Sequence, residues 1–445
     1  MSGERRVMVT GRGLVGPGGV GVSALAAAPA LRRAEQLFAQ GCDVGEGTQE
    51  PGDGAGRFAV NGSVAAQLAG RWVGAAAFDA DEMLAGQGNV RLLDRSSSML
   101  VHAAQQALDE SALDAEQRRL HEVGLVLGTT FCSVHTIAAF DRRAVSAGPR
   151  YASPLDFANT VINAATGQAA IWHDLRGMNS TVAGESASSL EALALAWRAL
   201  RDGRAEILLV GGVEELSFEL LLGLERRGLL DRGEATGSPA PWAADGSGFA
   251  PSEGAAVVVL ETLESARRRG APILGEVLGG GVGFDPSFAL GAAAGGARER
   301  RQAVQQASLR ACGGALRRAG LTADGIDLFV AGSNGSPRTD AAEAGAYREL
   351  FGPSGPPAMA TKEHDGEGLG WGGAQLLLRS LAVLGGEAPP MPGERSKHGF
   401  EELAGGRLLE RALEPRDRSR PATALLSTVG WAGHCAAVAV AGAPS

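Results

Sequence analysis

The sequence predicts an α/β fold of duplicated, layered design, and three observations carry that expectation. Glycine accounts for 66 of the 445 residues and aromatic residues for only 5%, which suits close-packed layers turned by glycine better than a disordered chain. One order of elements occurs twice along the chain. Within each occurrence, short apolar runs stopped by glycine alternate with helix-period segments, as strands and helices laid in layers do.

The first element is the run Val7–Thr10, a buried-strand signal ending in GRGLVG. Gly11, Gly13 and Gly16 form GxGxxG behind a strand, superficially a dinucleotide loop. However, Pro17-Gly18-Gly19 stands where the phosphate-binding helix would continue. A glycine-turned strand end is the better reading, and no cofactor is expected. Residues 35–90 are glycine-rich and irregular, an expected surface elaboration. The repeat then begins. In its first copy a helix from Ser96 to about Ser111 leads into HEVGLVLGTT, a strand stopped by Gly128; in its second, RQAVQQASLRACGGALRRAG leads into IDLFVAGSNG, stopped by Gly332. The later parts match as well. NSTVAGES opens the helix ASSLEALALAWRALRDG, with the strand AEILLVGG behind it, and PPAMATKEHDGEGLG opens the helix GGAQLLLRSLAVLGG. The seam is expected near residues 265–275, after the strand GAAVVVLE, which gives halves of 1–270 and 271–445. The helix over 187–201 is apolar nearly all round and is expected to be buried in the middle of the molecule.

Charge and cysteine usage exclude several classes. A formal net charge of −9 with no long basic run argues against nucleic-acid binding. Cys42, Cys132, Cys312 and Cys435 are widely spaced and form no CxxC pair, against a disulfide framework or zinc site. The histidines show no metal-ligand spacing, so no metal is expected. MSGERRVMVTG lacks the apolar core of a signal peptide, and no uncharged apolar run reaches the ~18 residues of a membrane helix. The expectation is a soluble, cytoplasmic protein.

Chemistry concentrates at TVAGESASSL, residues 181–190, a short strand, a Gly-Glu-Ser turn and an apolar helix. Acyl-transfer enzymes present a nucleophile at such a turn, which makes Ser186 a candidate. GESAS nearly matches the G-x-S-x-G elbow of α/β-hydrolases, with Asp365 and then His398 or His434 downstream. Ser188 stands where that elbow wants glycine, the oxyanion motif HGGG is absent, and a duplicated layout is not a hydrolase sheet.

Six segments in order carry a resemblance to the β-ketoacyl synthases of the thiolase fold: VTGRGLVGPGG, LLDRSSSM, GPRYASPLDFANTVINAATGQAAI, AEILLVGGVEE, GSGFAPSEGAAVVVLE and TVGWAGHCA. The resemblance runs nearly end to end and implies a thiolase-like, five-layered αβαβα arrangement. It also implies condensation of acyl groups held on acyl carrier protein, with a cysteine nucleophile, two histidines and a lysine. Here Ser186 falls at the cysteine's position, Gly332 at the first histidine's and Glu367 at the second's. Lys362, Asp340 and Glu343 are retained. A serine hydroxyl needs a base to take its proton, glycine supplies none, and a carboxylate at 367 opposes developing negative charge. Glu185 at a helix N-terminus is expected to be stabilised as the ion and so to be a weak base.

Within the family, Glu185 and the pattern Leu190-Glu-Ala-Leu193 resemble the chain-length factors of type II polyketide synthases, whereas serine at 186 departs from them. The resemblance implies a catalytically degenerate subunit, inactive alone, that forms a heterodimer with an active ketosynthase and shapes the channel for the chain carried by acyl carrier protein. In that branch bulky residues after the strand of the first repeat close the channel. Phe131 in GTTFCSVHT is the leading candidate, with Cys132 and Val134 beside it; ordinary core packing is the alternative. Trp431 replaces the phenylalanine that gates the pocket in active enzymes, and plugging and plain structural roles both stand open. One rival is an acyltransferase of the same fold using Ser186, with His434 or His364 recruited as base. Another is a retired homologue that only stabilises its partner.

Overall fold

A computed structural model describes residues 5–27, 30–41, 58, 65–233, 237–387, 393–417 and 419–444. Cys42 and part of the elaboration expected over 35–90 (42–57 and 59–64) lie outside the described residues.

Ten principal strands build the molecule. The first five are β1 (Val7–Gly16), β2 (Gly124–Gly128), β3 (Asn179–Val182), β4 (Ile207–Glu214) and β5 (Gly254–Thr262). The second five are β6 (Gly275–Phe284), β7 (Leu328–Ala331), β8 (Ala358–Ala360), β9 (Thr423–Val429) and β10 (His434–Gly442). The first set pairs in the order β3-β2-β4-β5-β1 and the second in the order β8-β7-β9-β10-β6. Numbered within each set, both orders are third, second, fourth, fifth, first. The sense of pairing repeats too: the second strand is parallel to the third and fourth, and the fourth-to-fifth and fifth-to-first pairs are antiparallel. A short antiparallel pairing of Val7–Val9 with Gly275–Val277 joins the sets. The duplication read from the sequence is therefore a duplication of topology, and the fold is the thiolase-like arrangement.

Helices fill the spaces that parallel crossovers leave. Those that matter here are α1 (Arg95–Glu110), α2 (Ser188–Arg201), α3 (Ala297–Ala319), α4 (Pro337–Phe351) and α5 (Gly372–Leu384). The middle core unites Leu190, Leu193 and Trp197 of α2 with Leu376, Leu377 and Leu381 of α5 and the inner faces of both sheets. A second core lies between α1 and the outer face of the first sheet. A third lies between α3, α4 and the outer face of the second sheet. The layers run α1, sheet, α2 with α5, sheet, α3. Among the described residues no helix is long and apolar enough to cross a membrane.

Two expectations are corrected. GRGLVG is not a turn at the end of β1, because the strand runs through it to Gly16 with every residue buried. A Cβ on Gly11 would lie 2.1 Å from the Ala107 carbonyl oxygen and one on Gly13 1.9 Å from that of Ala103. The glycines let α1 press onto the strand. Nor is α2 buried all round: Leu195 and Arg198 are exposed, and Glu191 and Ala194 only half-buried, along one stripe. An alanine-rich helix reads as apolar everywhere even when one side is open.

Gly13→Ala should therefore cost about 3 kcal/mol through overpacking against a carbonyl that cannot swing away. A Cβ at Gly167, in the helix Ala164–Trp172, meets nothing within 4 Å, so Gly167→Ala should stabilise by about 0.5–1 kcal/mol, alanine being the better helix former. Urea denaturation of the two variants checks the contrast.

Candidate functional site

The site forms where α2 and α5 begin. β3 ends at Val182, Glu185 takes a positive φ of 56°, and a single tight turn over Glu185–Ala187 delivers the chain into α2. A non-glycine residue in that backbone region is uncommon and marks an imposed conformation. The start of α5 repeats the device, with Leu369 at a φ of 49° and a tight turn over Leu369–Trp371. Ser186 thus sits at the elbow expected from the sequence, buried to 1% exposure.

Its hydroxyl is idle. Among the described residues the Ser186 Oγ has no hydrogen-bond partner, so none of their imidazoles or carboxylates stands ready to take its proton. Only the Ser186 carbonyl is engaged, accepting from the Thr428 hydroxyl at 3.3 Å. Glu185 turns its carboxylate away to the Ala432 N–H at 2.8 Å. The expectation that its basicity is lowered is corrected: burial raises its pKa, and the Ala432 N–H and nearby His434 only partly offset this. His434 is half-buried, 3.5 Å from Glu191, and packs on Phe284 with ring centroids 4.7 Å apart. The Glu191 carboxylate raises its pKa, so it is a paired surface histidine and not a core one. His364 is buried in the turn Lys362–Asp365.

Gly332 follows β7 and has no room for a side chain. A Cβ there would lie 2.7 Å from the Thr428 Oγ1 and 2.9 Å from the Ser427 carbonyl oxygen. Asp340 and Glu343, on α4, hold this loop by its donors. Asp340 accepts from the N–H groups of Trp242 (2.8 Å), Asn334 (2.9 Å) and Gly335 (2.9 Å). Glu343 accepts from the Gly332 N–H at 3.2 Å and the Ser333 hydroxyl at 2.6 Å. Burial pushes the two carboxyls up to about 6 and about 7.

Beside the loop lies an ion pair. The Lys362 ammonium stands 2.7 Å from the Glu367 carboxylate, and both side chains are fully buried. Asn334 donates its amide N–H to the same carboxylate oxygen, and the Leu369 N–H donates to the other at 2.9 Å. Read from sequence, Glu367 brings an uncompensated negative charge and Lys362 survives for use. In the structure each neutralises the other. A buried carboxylate without such a partner would be very costly, and this one has its charge matched and both oxygens satisfied.

The four positions are joined through shared partners. Thr428 touches both Ser186 and the Gly332 position, and the Gly332 loop carries Asn334, which binds Glu367 and through it Lys362. The aromatic candidates also meet. Phe131 and Trp431 stack with centroids 6.3 Å apart at 12°, and Phe249 lies 6.2 Å from Trp431 on its other contact. The Thr130 hydroxyl donates to the Glu185 carbonyl at 3.1 Å, which ties this stack to the Ser186 turn. Phe131 is 37% exposed. Cys132 is buried in the core under the first sheet, where burial pushes its thiol far up and away from thiolate chemistry. Val134 is half-buried and opens the helix Val134–Ala147.

Sequence reasoning missed Asn334, Thr428 and Glu214. Glu214 ends β4 fully buried, and its carboxylate gathers the N–H groups of Thr130 (2.7 Å), Phe131 (3.0 Å), Cys132 (2.7 Å) and Gly370 (3.2 Å). Burial pushes it up to about 7 against those four donors. The acidic pair closing AEILLVGGVEE was the available signal, since a charge at the end of an all-apolar strand must find partners. Among the described residues no three His, Cys, Asp or Glu side chains converge as a metal site.

An acyl-transfer elbow set between two sheets of identical order defines a protein of the thiolase-like class. The family model described as "Beta-ketoacyl synthase, N-terminal domain" matches residues 4–266, and the chain belongs to the β-ketoacyl synthase family. It is similar to the tetracenomycin polyketide synthase ketoacyl synthase beta subunit of Streptomyces glaucescens, 28% identical over 448 residues covering 99% of both chains. It is also similar to 3-oxoacyl-[acyl-carrier-protein] synthase 2 of Coxiella burnetii, 28% identical over 308 residues, 68% of this chain and 72% of that one. Among solved structures, the ishigamide ketosynthase/chain length factor matches with a TM-score of 0.77 at 21% identity over 99% of each chain. A β-ketoacyl synthase from Burkholderia phymatum matches at 0.78 and 22% identity, over 98% of this chain and 99% of that one.

Lys362→Met leaves the Glu367 charge buried and unpaired and should cost about 3–5 kcal/mol. Adding Glu367→Gln should restore at least half of the loss, because the amide carries no charge. Chemical denaturation of the single and double variants measures both.

Proposed function

We propose that this protein is a chain-length factor, a ketosynthase-like subunit without condensing activity of its own that pairs with an active β-ketoacyl synthase and shapes the channel for the growing acyl chain. The observation that carries the reading is the buried Lys362–Glu367 pair beside an idle Ser186 hydroxyl. Condensation needs an activated nucleophile and donors free to hold an enolate. Here the serine has no base, and the one cation of the cluster is already spent on a carboxylate. The full-length similarity to a subunit named as a ketoacyl synthase beta subunit supports the same reading.

The acyltransferase alternative asks Ser186 to attack a thioester, and neither His434 nor His364 bonds its oxygen. On the favoured reading, Phe131 and Trp431 form the aromatic stop of the channel, with Val134 at its edge, and residues 1–270 and 271–445 are the two halves that frame it. The partner would cover the open edge of the first sheet. Val182 of β3, Leu195 of α2 and Val282 of β6 line a shallow cavity of about 310 Å³ there, and Val282 and Phe284 are 58% and 51% exposed. Contiguous apolar surface beside an unpaired strand is a place that a soluble protein keeps for an interface. The acidic charge of this chain leaves the partner to present most of the surface for an acidic carrier protein.

Coexpression with the neighbouring ketosynthase should give a heterodimer by size, and Phe131→Ala in that pair should lengthen the product. An unchanged product length would reduce the role to mere stabilisation of the partner. The isolated chain, incubated with a fluorophosphonate probe or acylated carrier protein, should remain unlabelled. Label at Ser186 that is lost in Ser186→Ala would replace this reading with the acyltransferase.

A further inference from the structure

Phe131 stands on a turn that its own sequence holds only in part, through the Cys132 N–H donating to the Thr129 hydroxyl at 3.2 Å. The backbone N–H groups of Thr130, Phe131 and Cys132 all point to one side, and Cys132 takes a positive φ of 55° to keep them so. Converging N–H groups of this kind need an anion between them. The Glu214 carboxylate fills that place, with one oxygen on Phe131 and Cys132 and the other on Thr130 and Gly370. Gly370 belongs to the turn that opens α5, in the second half of the chain. A Cβ there would come within 2.8 Å of the Glu214 carboxylate and 2.4 Å of the Thr129 Cα. Only glycine lets that N–H approach. The carboxylate therefore fixes the Phe131 backbone against the opposite half of the molecule, while the Phe131 ring reaches out to stack on Trp431.

We propose that Glu214 is a positioning residue for the aromatic stop: by clamping the Thr130–Cys132 turn to Gly370, it sets where the Phe131 ring stands and hence the length at which the acyl channel ends. This rests on the channel reading given above. Glu214 bonds neither Ser186 nor the Lys362–Glu367 pair directly; Thr130 and the Gly370 turn lie between it and them, and Phe131 is the one of its donors whose ring enters the aromatic stack. A neutral amide of the same shape cannot serve in its place. Gln at 214 offers one acceptor oxygen, and its NH₂ group would face two of the four N–H donors. The turn must then shift, and the ring with it.

The test uses the coexpressed pair of this chain and its ketosynthase, supplied with malonyl-loaded carrier protein, with products sized by mass spectrometry. Four forms are compared: wild type, Phe131→Ala, Glu214→Gln and the double variant. Glu214→Gln should raise the fraction of over-long products by about tenfold, the scale on which misplaced apolar contacts discriminate. In the Phe131→Ala background the same change should add nothing, because the ring that it positions is gone. A merely structural role would instead lower yield in both backgrounds and leave the length distribution in place. Glu214→Asp keeps the charge but retracts it by one methylene, and serves if the glutamine variant does not assemble. Wild-type product lengths from an assembled Glu214 variant would overturn the proposal while leaving the channel reading intact if Phe131→Ala still lengthens the product. Failure of both Glu214 variants to assemble would also overturn it, making Glu214 a requirement of the fold. No response to Phe131→Ala would remove the channel reading itself.

Discussion

The constraint from which the rest follows is the pinching of α2 and α5 between two sheets. Both helices bury leucines against the inner sheet faces, so their N-terminal turns open into a layer walled by buried apolar side chains. Every polar group delivered there must find its partner within the protein, because an unpaired one costs several kcal/mol and an unpaired charge far more. The buried carboxylates of this region obey that rule. Glu343 and Asp340 take loop N–H groups, Glu214 takes four donors, and Glu367 takes a lysine, an amide and a backbone N–H. The exceptions are neutral atoms, the Ser186 and Thr361 hydroxyls and the Gln375 amide oxygen among them, and a neutral group is the cheapest to leave unsatisfied in such a place.

Pairing in a dry layer also governs what the site can do. A lysine that solvent could reach would keep its ammonium available for a developing oxyanion. Held 2.7 Å from Glu367 and shielded from water, it is committed. The attraction between the two is strong because the surroundings are poorly polarisable, and for the same reason neither can be released without leaving the other bare. The commitment of Lys362 is therefore built into the packing and goes beyond the identity of the two side chains.

Much of this was legible in the sequence. The duplication showed as two like runs of helix, strand, turn and helix, and the structure returns the same strand order in both halves. The elbow at Ser186 is legible from its strand-to-helix turn, and Phe131 and Trp431, which stack, are singled out one by one through the family resemblance. What stayed hidden was pairing across long separations. Lys362 and Glu367 are close in sequence, but the tight fold of the loop that faces them toward each other depends on Asn334 and Leu369. Glu214 meets Gly370 across 156 positions. The rise in the Glu185 pKa was likewise out of reach, since a helix end argues one way and the depth of burial, which only packing determines, argues the other. GRGLVG misled for a related reason: glycines that admit a neighbouring helix look the same in sequence as glycines that turn a chain.

The crowding at Gly332 reaches as far as the elbow. A β-carbon at that position would meet the Thr428 hydroxyl and the backbone of Ser427 at once, and Thr428 is itself bonded to the carbonyl of Ser186. A histidine at 332 would displace the strand end that supports the elbow. Position 332 is thus locked by its surroundings: any side chain placed there must first move Thr428, and with it the turn that Thr428 braces.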